Sequence, residues 1–371
     1  MDTAFSVFDH ACMAEALRLA ERGLYTADPN PRVGCVIARD KSIIGRGFHL
    51  KAGEAHAEIN ALLDAGDNAR GACVYLTLEP CSHHGRTPPC SAALIDASVA
   101  RVVAAMQDPN PKVAGKGFEQ LHAAGIEVAS GLMARQAEKL NRGFVSRMTR
   151  SRPWVRSKLA ISLDGRTALA NGVSKWISDD AARRDAHLWR ARSSAVVTGI
   201  GTVLADDPTL NVRLEAAEHD WRQPVRVVVD SGLRTPVTAK LFKAPGPVRI
   251  ATVESDNAAC KQALVDAGAK VMLLPAVHGR VDLTALMREL AQHECNEVLV
   301  EAGAQLNGAL LEAGLIDELI VYMAQHLLGD TACGMFAIPA LADMQARREL
   351  QLTDLRRIGG NIRMIFSVEQ N

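Results

Sequence analysis

The sequence carries no net charge, with 42 lysines and arginines against 42 aspartates and glutamates in 371 residues. A nucleic-acid binder normally shows a basic excess or a basic stripe; neither is evident, so nucleic acid is not an expected partner. No uninterrupted apolar run approaches the ~18 residues needed to span a membrane, so no membrane partner is expected. The opening stretch holds Asp2, Asp9 and Glu15 without an early basic cluster, which does not fit a signal peptide. Eight cysteines show no disulfide-scaffold spacing in so long a chain, which suits a reducing cytoplasm. Internal repeats and low-complexity segments are lacking too. What is present is ordinary for a globular protein, 48% hydrophobic and 23% charged. At roughly 150 residues per domain the chain has room for two or three domains, each with a core.

Met13, Leu17, Ala20 and Leu24 recur at helical spacing and predict an amphipathic opening helix, broken at Asp28-Pro29-Asn30-Pro31. Residues 33–38 and 42–48 read as strands joined by a tight Arg39-Asp40-Lys41 turn. A short helix is expected over 57–65, a strand over 72–78, a helix over 90–97 and a strand over 101–106. One more helix and strand follow at 115–124 and 126–129, and the alternation predicts a three-layer α/β domain. A long helix over 134–148 leads into the polar, proline-ended stretch 149–153, the best linker candidate. Domains are therefore expected at 1–148 and 152–371. The second half repeats an α/β pattern. Its strands fall at 155–160, 195–198, 225–229, 248–253, 270–274 and 297–300, with helices at 180–191 and 283–293. A helix ending near Ala313 and a strand over 318–323 close it.

The chemistry of the first half concentrates in His56-Ala57-Glu58 and in the run from Glu79-Pro80-Cys81 to Pro89-Cys90. His56, Cys81 and Cys90 are three ligands of the kind Zn²⁺ prefers. Three protein ligands leave the fourth tetrahedral position to water, as in catalytic zinc sites, and one Zn²⁺ per chain is expected. Glu58 is placed to carry protons between that water and a leaving group. Zinc deaminases carry His-x-Glu followed by Pro-Cys-x-x-Cys. Here eight residues separate the two cysteines; they include His83, His84 and Arg86 and read as an insertion over a pocket. On an ideal helix His56 and Glu58 would diverge by roughly 200°. They can share one metal only at a helix start, approached end-on. The plainer reading of each piece is a chance His-x-Glu among 11 histidines and core thiols; the ordered conjunction favours the metal.

In the second half, Gly199-Ile200-Gly201-Thr202 and Glu301-Ala302-Gly303 each follow an apolar strand, where glycine lets backbone approach a phosphate. Leu204 stands where the third glycine of a dinucleotide fingerprint belongs, so a tight turn without a ligand is an equal reading. Asp206-Asp207-Pro208 is read as a turn in preference to a metal pair. Arg190 and Arg213 can pair with a substrate phosphate or simply sit solvated.

Together these residues resemble a known family. Asn30-Pro31-Arg32-Val33-Gly34, His56-Ala57-Glu58 and Thr77-Leu78-Glu79-Pro80-Cys81 through Pro88-Pro89-Cys90 are similar to the bacterial bifunctional riboflavin-biosynthesis deaminase–reductases. The run from Lys158 to Arg166 is similar to their reductase domain, as are the run from Gly201 to Pro208 and Val300-Glu301-Ala302-Gly303. The long cysteine spacing is usual in this subfamily. The resemblance implies a cytidine-deaminase-like three-layer domain followed by a dihydrofolate-reductase-like α/β domain. It implies zinc-dependent deamination of a phosphoribosyl diaminopyrimidinone, then NADPH-dependent reduction of the ribosyl chain. It assigns NADPH to Ala160, Trp176, Thr202, Asp206 and Ser231, and to the turn of Gly303, Ala304, Gln305, Leu306, Asn307, Gly308 and Ala309. Substrate falls to Ser174, Arg190, Leu210, Arg213 and Glu301, with Asn30, His49 and Arg86 as candidates in the deaminase pocket. A homodimer or higher homo-oligomer through the reductase domain is expected. Two alternatives stand beside this reading: a nucleoside or nucleic-acid deaminase fused to an unrelated reductase, and a non-catalytic zinc-binding protein.

Overall fold

The computed structural model of the chain describes residues 5–82, 89–215, 220–254 and 257–369. It divides into two units, Met1–Ser151 and Arg152–Asn371. None of the described helices is long and apolar enough to cross a membrane.

The first unit runs α1 (Val7–Glu21), β1 (Gly34–Arg39), β2 (Ser42–Phe48), α2 (Ala57–Ala65), β3 (Cys73–Leu76), α3 (Cys90–Asp96), β4 (Arg101–Ala104), α4 (Lys116–Ala123), β5 (Glu127–Ser130) and α5 (Ala134–Arg150). Its sheet has the order β2-β1-β3-β4-β5. β1 is antiparallel to both β2 and β3, whereas β3, β4 and β5 are parallel and joined through α3 and α4. Asp40 and Lys41 turn β1 into β2 with positive φ, 48° and 60°, as the twist of a two-residue hairpin demands. Alternation along β1 sorts the layers. Cys35 and Ile37 face Ala57, Ala61, Leu94 and Leu121 of α2, α3 and α4, and Val36 and Ala38 face Cys12, Met13 and Ala16 of α1 with Ala137 of α5. Asp9 completes a capping box with Ser6 and also accepts from Tyr75 Oη (2.8 Å) and Arg101 Nη1 (3.0 Å), tying α1 to β3 and β4.

The expected linker is shorter in the structure. Helix α5 continues through Arg150, because Thr149 Oγ1 donates to Val145 O (2.8 Å) and Arg150 reaches Ser146 Oγ (2.7 Å) one turn back. Basic side chains in that last turn also suit the carbonyl end of the helix dipole. Arg152 already belongs to the second unit, through a two-pronged pair with Asp317 (2.9 and 2.8 Å).

The second unit begins with β6 (Trp154–Ile161), β7 (Arg166–Ala168), α6 (Asp180–Arg192), β8 (Ala195–Gly199), α7 (Ile200–Asp206) and β9 (Val225–Val229). There follow α8 (Lys240–Lys243), β10 (Val248–Thr252), α9 (Ala258–Asp266), β11 (Ala269–Leu273), the small pair β12 (Ala276–Val277) and β13 (Arg280–Val281), and α10 (Leu283–Gln292). It ends with β14 (Glu297–Val300), α11 (Ala304–Glu312), β15 (Glu318–Met323), β16 (Cys333–Gly334), β17 (Leu350–Ile358) and β18 (Asn361–Val368). Nine strands form one sheet in the order β11-β10-β9-β8-β14-β6-β15-β18-β17. The first seven of that order are parallel, and apart from the edge strand β11 their runs of Val, Ile and Leu are buried on both faces. The closing antiparallel hairpin β17–β18, turning at Gly359 and Gly360, was not expected from the sequence.

At the amino ends of the central strands lies a buried ion group. Arg156, 1% exposed, gives Nη1 to Glu297 Oε2 (2.5 Å) and Nε to Glu318 Oε2 (2.7 Å). Arg192 Nε also reaches Glu297 (2.7 Å), and Trp154 Nε1 donates to Glu318 (3.0 Å). Two positive and two negative groups thus balance where solvent cannot screen them. Removing one leaves a buried charge uncompensated, which costs about 3–5 kcal/mol. Glu297→Ala is therefore expected to lower unfolding stability by that amount in a denaturant titration; a loss under about 1 kcal/mol would mean the group relaxes freely.

Candidate active sites

Helix α2 starts at Ala57, so His56 is its N-cap residue in extended geometry (φ −73°, ψ 165°), with its side chain uncommitted to capping. Outside the helix proper, it escapes the angular divergence from Glu58 that a regular helix would impose. Imidazole Nδ1 lies 3.2 Å from Cys90 Sγ and 3.7 Å from Cys81 Sγ, and one donor atom from each residue lies within 4.8 Å of the others. Cys90 opens α3, where peptide dipoles favour thiolate, and its own N–H donates to Cys81 Sγ (3.3 Å). A hydrogen bond from Cys90, then one from His56, lowers the Cys81 thiol; the shared bond and burial push Cys90 up. One imidazole and two sulfurs in a half-buried cluster fit Zn²⁺.

Two features hold these donors. A Cβ at Gly47 of β2 would stand 2.2 Å from Ala57 O, so glycine there lets the start of α2 lie against the sheet. On the other side, β3 delivers Glu79 just before Pro80 and Cys81. The Glu79 carboxylate, 3% exposed, accepts from the backbone N–H of Asp108 (3.0 Å), Gly115 (2.9 Å), Gly117 (2.9 Å) and Phe118 (3.4 Å). It fixes the start of α4 against the ligand loop. Glu79 stood in the sequence motif without a role; four backbone partners supply one.

Glu58 is buried in the first turn of α2, and burial, then the charge of Cys81, pushes its carboxyl up to about 7. A buried carboxyl raised in this way is the kind of group that a proton carrier requires. His49 stands edge-on to His56, ring centres 5.3 Å apart. Its Nδ1 meets Ala55 O (3.1 Å), which only accepts, so Nε2 accepts from Asn30 Nδ2 (3.0 Å). Burial lowers the His49 pKa and keeps the ring neutral. Asn30 is held from behind, since Asn141 at a kink in α5 bonds both Arg32 N and Arg32 O (2.8 Å each). Arg86 and the two loop histidines, His83 and His84, lie outside the described residues.

The second unit opens a cleft of about 1630 Å³ along the carboxyl ends of β6, β8, β9 and β14, where open α/β sheets bind ligands. Ala160, Ser174, Trp176, Arg190, Thr202, Asp206, Leu210, Arg213, Ser231, Glu301, Gly303, Ala304, Gln305, Leu306 and Ala309 all line it. Asn307 and Gly308 do not. Asn307 is fully buried, accepting from Ser157 Oγ (2.8 Å) and donating to Ala302 O (2.8 Å). Gly308 lies under Ala337, whose carbonyl oxygen would be 2.2 Å from a Cβ. Both sit on the inner face of α11. Asp207 ends α7 with φ 44°, the turn the sequence suggested.

Arg190 differs from the expectation of a free phosphate fork. Its Nε and Nη2 grip Glu301 (2.5 and 2.9 Å) and Nη1 donates to Asn211 O (3.0 Å), so only part of its donor capacity remains for a ligand. Burial opposes the Glu301 charge, but Arg190 wins and holds it at about 2. Arg213 is exposed and bonds Thr209 and Asn211 through Nη1 alone. Two cleft residues were given no role by the sequence. Lys158, at the carboxyl end of β6, is lowered by burial, with Glu301 opposing and Arg190 assisting. His187 is held down at about 4 by burial, then by Arg190 and Arg213; its Nδ1 accepts from Arg213 N (3.2 Å), which leaves Nε2–H as a donor.

The comparisons with known proteins cover both units. The model of the RibD C-terminal domain matches residues 153–364, and that of the cytidine and deoxycytidylate deaminase zinc-binding region matches 6–106. Riboflavin biosynthesis protein RibD of Escherichia coli (strain K12) is 47% identical over 95% of this chain and 98% of its own length. Its Haemophilus influenzae counterpart is 47% identical over 98% of each chain. Among solved structures, Acinetobacter baumannii RibD superposes with TM-score 0.91 at 46% identity, over 98% of this chain and 99% of its own. A Thermotoga maritima diaminohydroxyphosphoribosylaminopyrimidine deaminase/5-amino-6-(5-phosphoribosylamino)uracil reductase gives 0.86 at 31% identity, with coverage of 98% and 99%. Matches on both halves exclude an unrelated reductase partner and a non-catalytic zinc protein. The chain belongs to the RibD family, the bifunctional deaminase–reductases of riboflavin biosynthesis.

Proposed function

We propose that the first unit hydrolyses the 2-amino group of 2,5-diamino-6-(5-phosphoribosylamino)pyrimidin-4(3H)-one, and that the second reduces the ribosyl group of the resulting 5-amino-6-(5-phosphoribosylamino)uracil to ribityl with NADPH. The observation that carries this reading is one chain joining a His-Cys-Cys cluster beside a buried glutamate to a wide cleft holding Lys158, Arg190 and Glu301.

In the first unit, one zinc ion held by His56, Cys81 and Cys90 would supply a water of lowered pKa, near about 7. Glu58 takes the proton from the attacking water and passes it to the departing nitrogen. A C–O bond forms at C2, the C–N bond breaks, and ammonia leaves. Asn30, its amide donating to His49, keeps its carbonyl oxygen available to accept from an N–H of the pyrimidine. In the second unit, NADPH held by Thr202, Asp206, Ser231 and the Gly303 turn would supply hydride to ribose C1′. The C1′–O4′ bond breaks, and the ring oxygen needs a proton. The buried ammonium of Lys158, made more acidic by its surroundings, is the group to give it. Glu301, kept ionised by Arg190, acts on Lys158 through its charge and would orient the ribose hydroxyls. Arg213 and the Nε2–H of His187 are left to receive the phosphate.

We also read the second unit as the site of self-association into a homodimer or higher homo-oligomer. Strand β17 is a sheet edge exposing Leu350, Leu352 and Leu355, the kind of edge that proteins cover. Sedimentation of the wild type should give a dimer or larger assembly, and charged substitutions at Leu352 and Leu355 should dissociate it; a wild-type monomer at micromolar concentration would refute this.

The two reactions are read by mass spectrometry after incubation with the diaminopyrimidine substrate. A deaminated product is expected without NADPH and a further reduced one only with it. Glu58→Gln should keep stoichiometric zinc yet lose deamination by at least about 100-fold; zinc lost along with activity would mean that Glu58 is misassigned. Arg213→Ala should raise the reductase KM for the phosphoribosyl substrate by about 10-fold or more, the loss of one charge-assisted contact. If NADPH affinity fell instead, Arg213 would belong to the cofactor.

A further inference from the structure

Lys158 reaches the cleft from β6, which lies between β14 and β15 in the sheet. Its two flanks differ in kind. On the β14 side, Val300 pairs with Ser157, so Glu301 follows one step on, beside Lys158. On the β15 side, Ile320 pairs with Lys158 and Tyr322 with Ala160, which puts Lys158 and Tyr322 on the same face. Among the described residues no hydrogen bond or ion pair reaches the Lys158 ammonium. What it meets is the ring of Tyr322, with Nζ 5.8 Å from the ring centre, inside the range where an aromatic face attracts a cation.

Tyr322 is fully buried and does not line the cleft, so it can act only through a neighbour. Its hydroxyl donates to Asp185 Oδ2 on α6. Arg363, the residue opposite Tyr322 on β18, gives Nη1 to both oxygens of the same carboxylate (3.1 and 2.9 Å) and Nη2 to Asp354 of β17 (2.9 Å). The ring is thus pinned at its far end by α6 and β18. Burial, then Asp185, pushes the phenol pKa up, so Tyr322 keeps its proton and is not itself the acid. Donation to a carboxylate also polarises the phenol and enriches the ring face that Lys158 meets.

The charges facing Lys158 from the elements around it are Glu301, Arg190 and His187. Arg190 repels the ammonium and takes up the Glu301 carboxylate, and His187 is held neutral. An aromatic face holds an ammonium without consuming any of its three N–H donors, whereas a carboxylate would take one and make the group a weaker acid. We propose that Tyr322, pinned by Asp185 and Arg363, is a positioning residue of the reductase, holding the Lys158 ammonium by its ring face with every N–H free for the substrate. The inference rests on the reading that Lys158 supplies the proton to the ring oxygen.

The test follows reductase kcat against pH in the full-length protein carrying Tyr322→Phe, and carrying the same phenyl ring with three fluorines introduced by nonsense suppression. Both keep the ring's shape, and Asp185 keeps Arg363, so the fold is retained. Fluorine removes the negative ring face, the ammonium loses support, and the alkaline limb of the profile moves to lower pH. The limb should fall in the order tyrosine, phenylalanine, trifluorophenylalanine, by about half a pH unit or more across the series. NADPH affinity by calorimetry, substrate KM below the limb, and deamination should each change by less than about two-fold. A limb that stays in place, or a kcat that falls equally at every pH, would overturn the role of Tyr322. Lys158→Gln separates the two levels: loss of reduction by at least about 100-fold with NADPH still bound supports the proton-donor reading. Reduction retained in Lys158→Gln would refute that reading and the proposal with it.

Discussion

The first unit is built around the problem of keeping two sulfurs and an imidazole together inside a folded chain. The donors come from positions up to 34 residues apart, and no single element could present all three. The fold solves this with element ends instead of element middles. His56 precedes α2, Cys81 follows β3, and Cys90 begins α3. At such ends the backbone direction changes within one residue, so side chains close in sequence can converge on one point. The same ends bring backbone N–H groups whose partial charge favours thiolate and carboxylate. Glu79 and the close contact at Gly47 then remove the freedom that element ends would otherwise keep.

The second unit separates its charges along the strand axis. At the amino ends, Arg156, Arg192, Glu297 and Glu318 neutralise one another in the interior and do no chemistry. At the carboxyl ends, Lys158, Arg190 and Glu301 form an arrangement of similar composition but open to a cleft. The difference lies in what each leaves over. The first group is buried away from any cleft. The second keeps donors on Lys158, Arg190 and Arg213, and its net positive character suits a phosphorylated, anionic substrate.

Much of this was legible in the sequence, for reasons that can be named. The helix over residues 57–65 was legible from its own sequence, and its start at Ala57 is what leaves His56 outside it and able to share one site with Glu58. Parallel strands such as Val225–Val229 declare themselves as short apolar runs. Strand β17 was missed because it interleaves leucine with Gln, Thr, Asp and Arg on an exposed edge and reads as polar chain, whereas the largely apolar β18 was passed over although its composition suits a strand. Gly359-Gly360 was the available turn signal. The end of α5 was misjudged because Thr149 and Arg150 look like linker composition, while their bonds to Val145 and Ser146 are what continue the helix. The commitment of Arg190 to Glu301 spans 111 residues, and no local pattern encodes it. Lys158 and His187 escaped for a related reason: a lone Lys or His acquires its character from neighbours that only the fold assembles.

The junction of Cys81 with the start of α3 has a consequence for the length of the loop. Cys90 N–H meets Cys81 Sγ, and both the N–H and the hydroxyl of Ser91 meet Cys81 O (3.2 and 3.1 Å). The two ends of the intervening loop are thus fastened to each other independently of what lies between them. Closing a flexible loop depends only logarithmically on its length, about 0.6 kcal/mol for each doubling. A change of length between the cysteines therefore adds little to the cost of closing the segment. The placement of the two sulfurs thus depends on bonds made by residues 81, 90 and 91 themselves, which leaves the length of the segment between them free to differ without moving either donor.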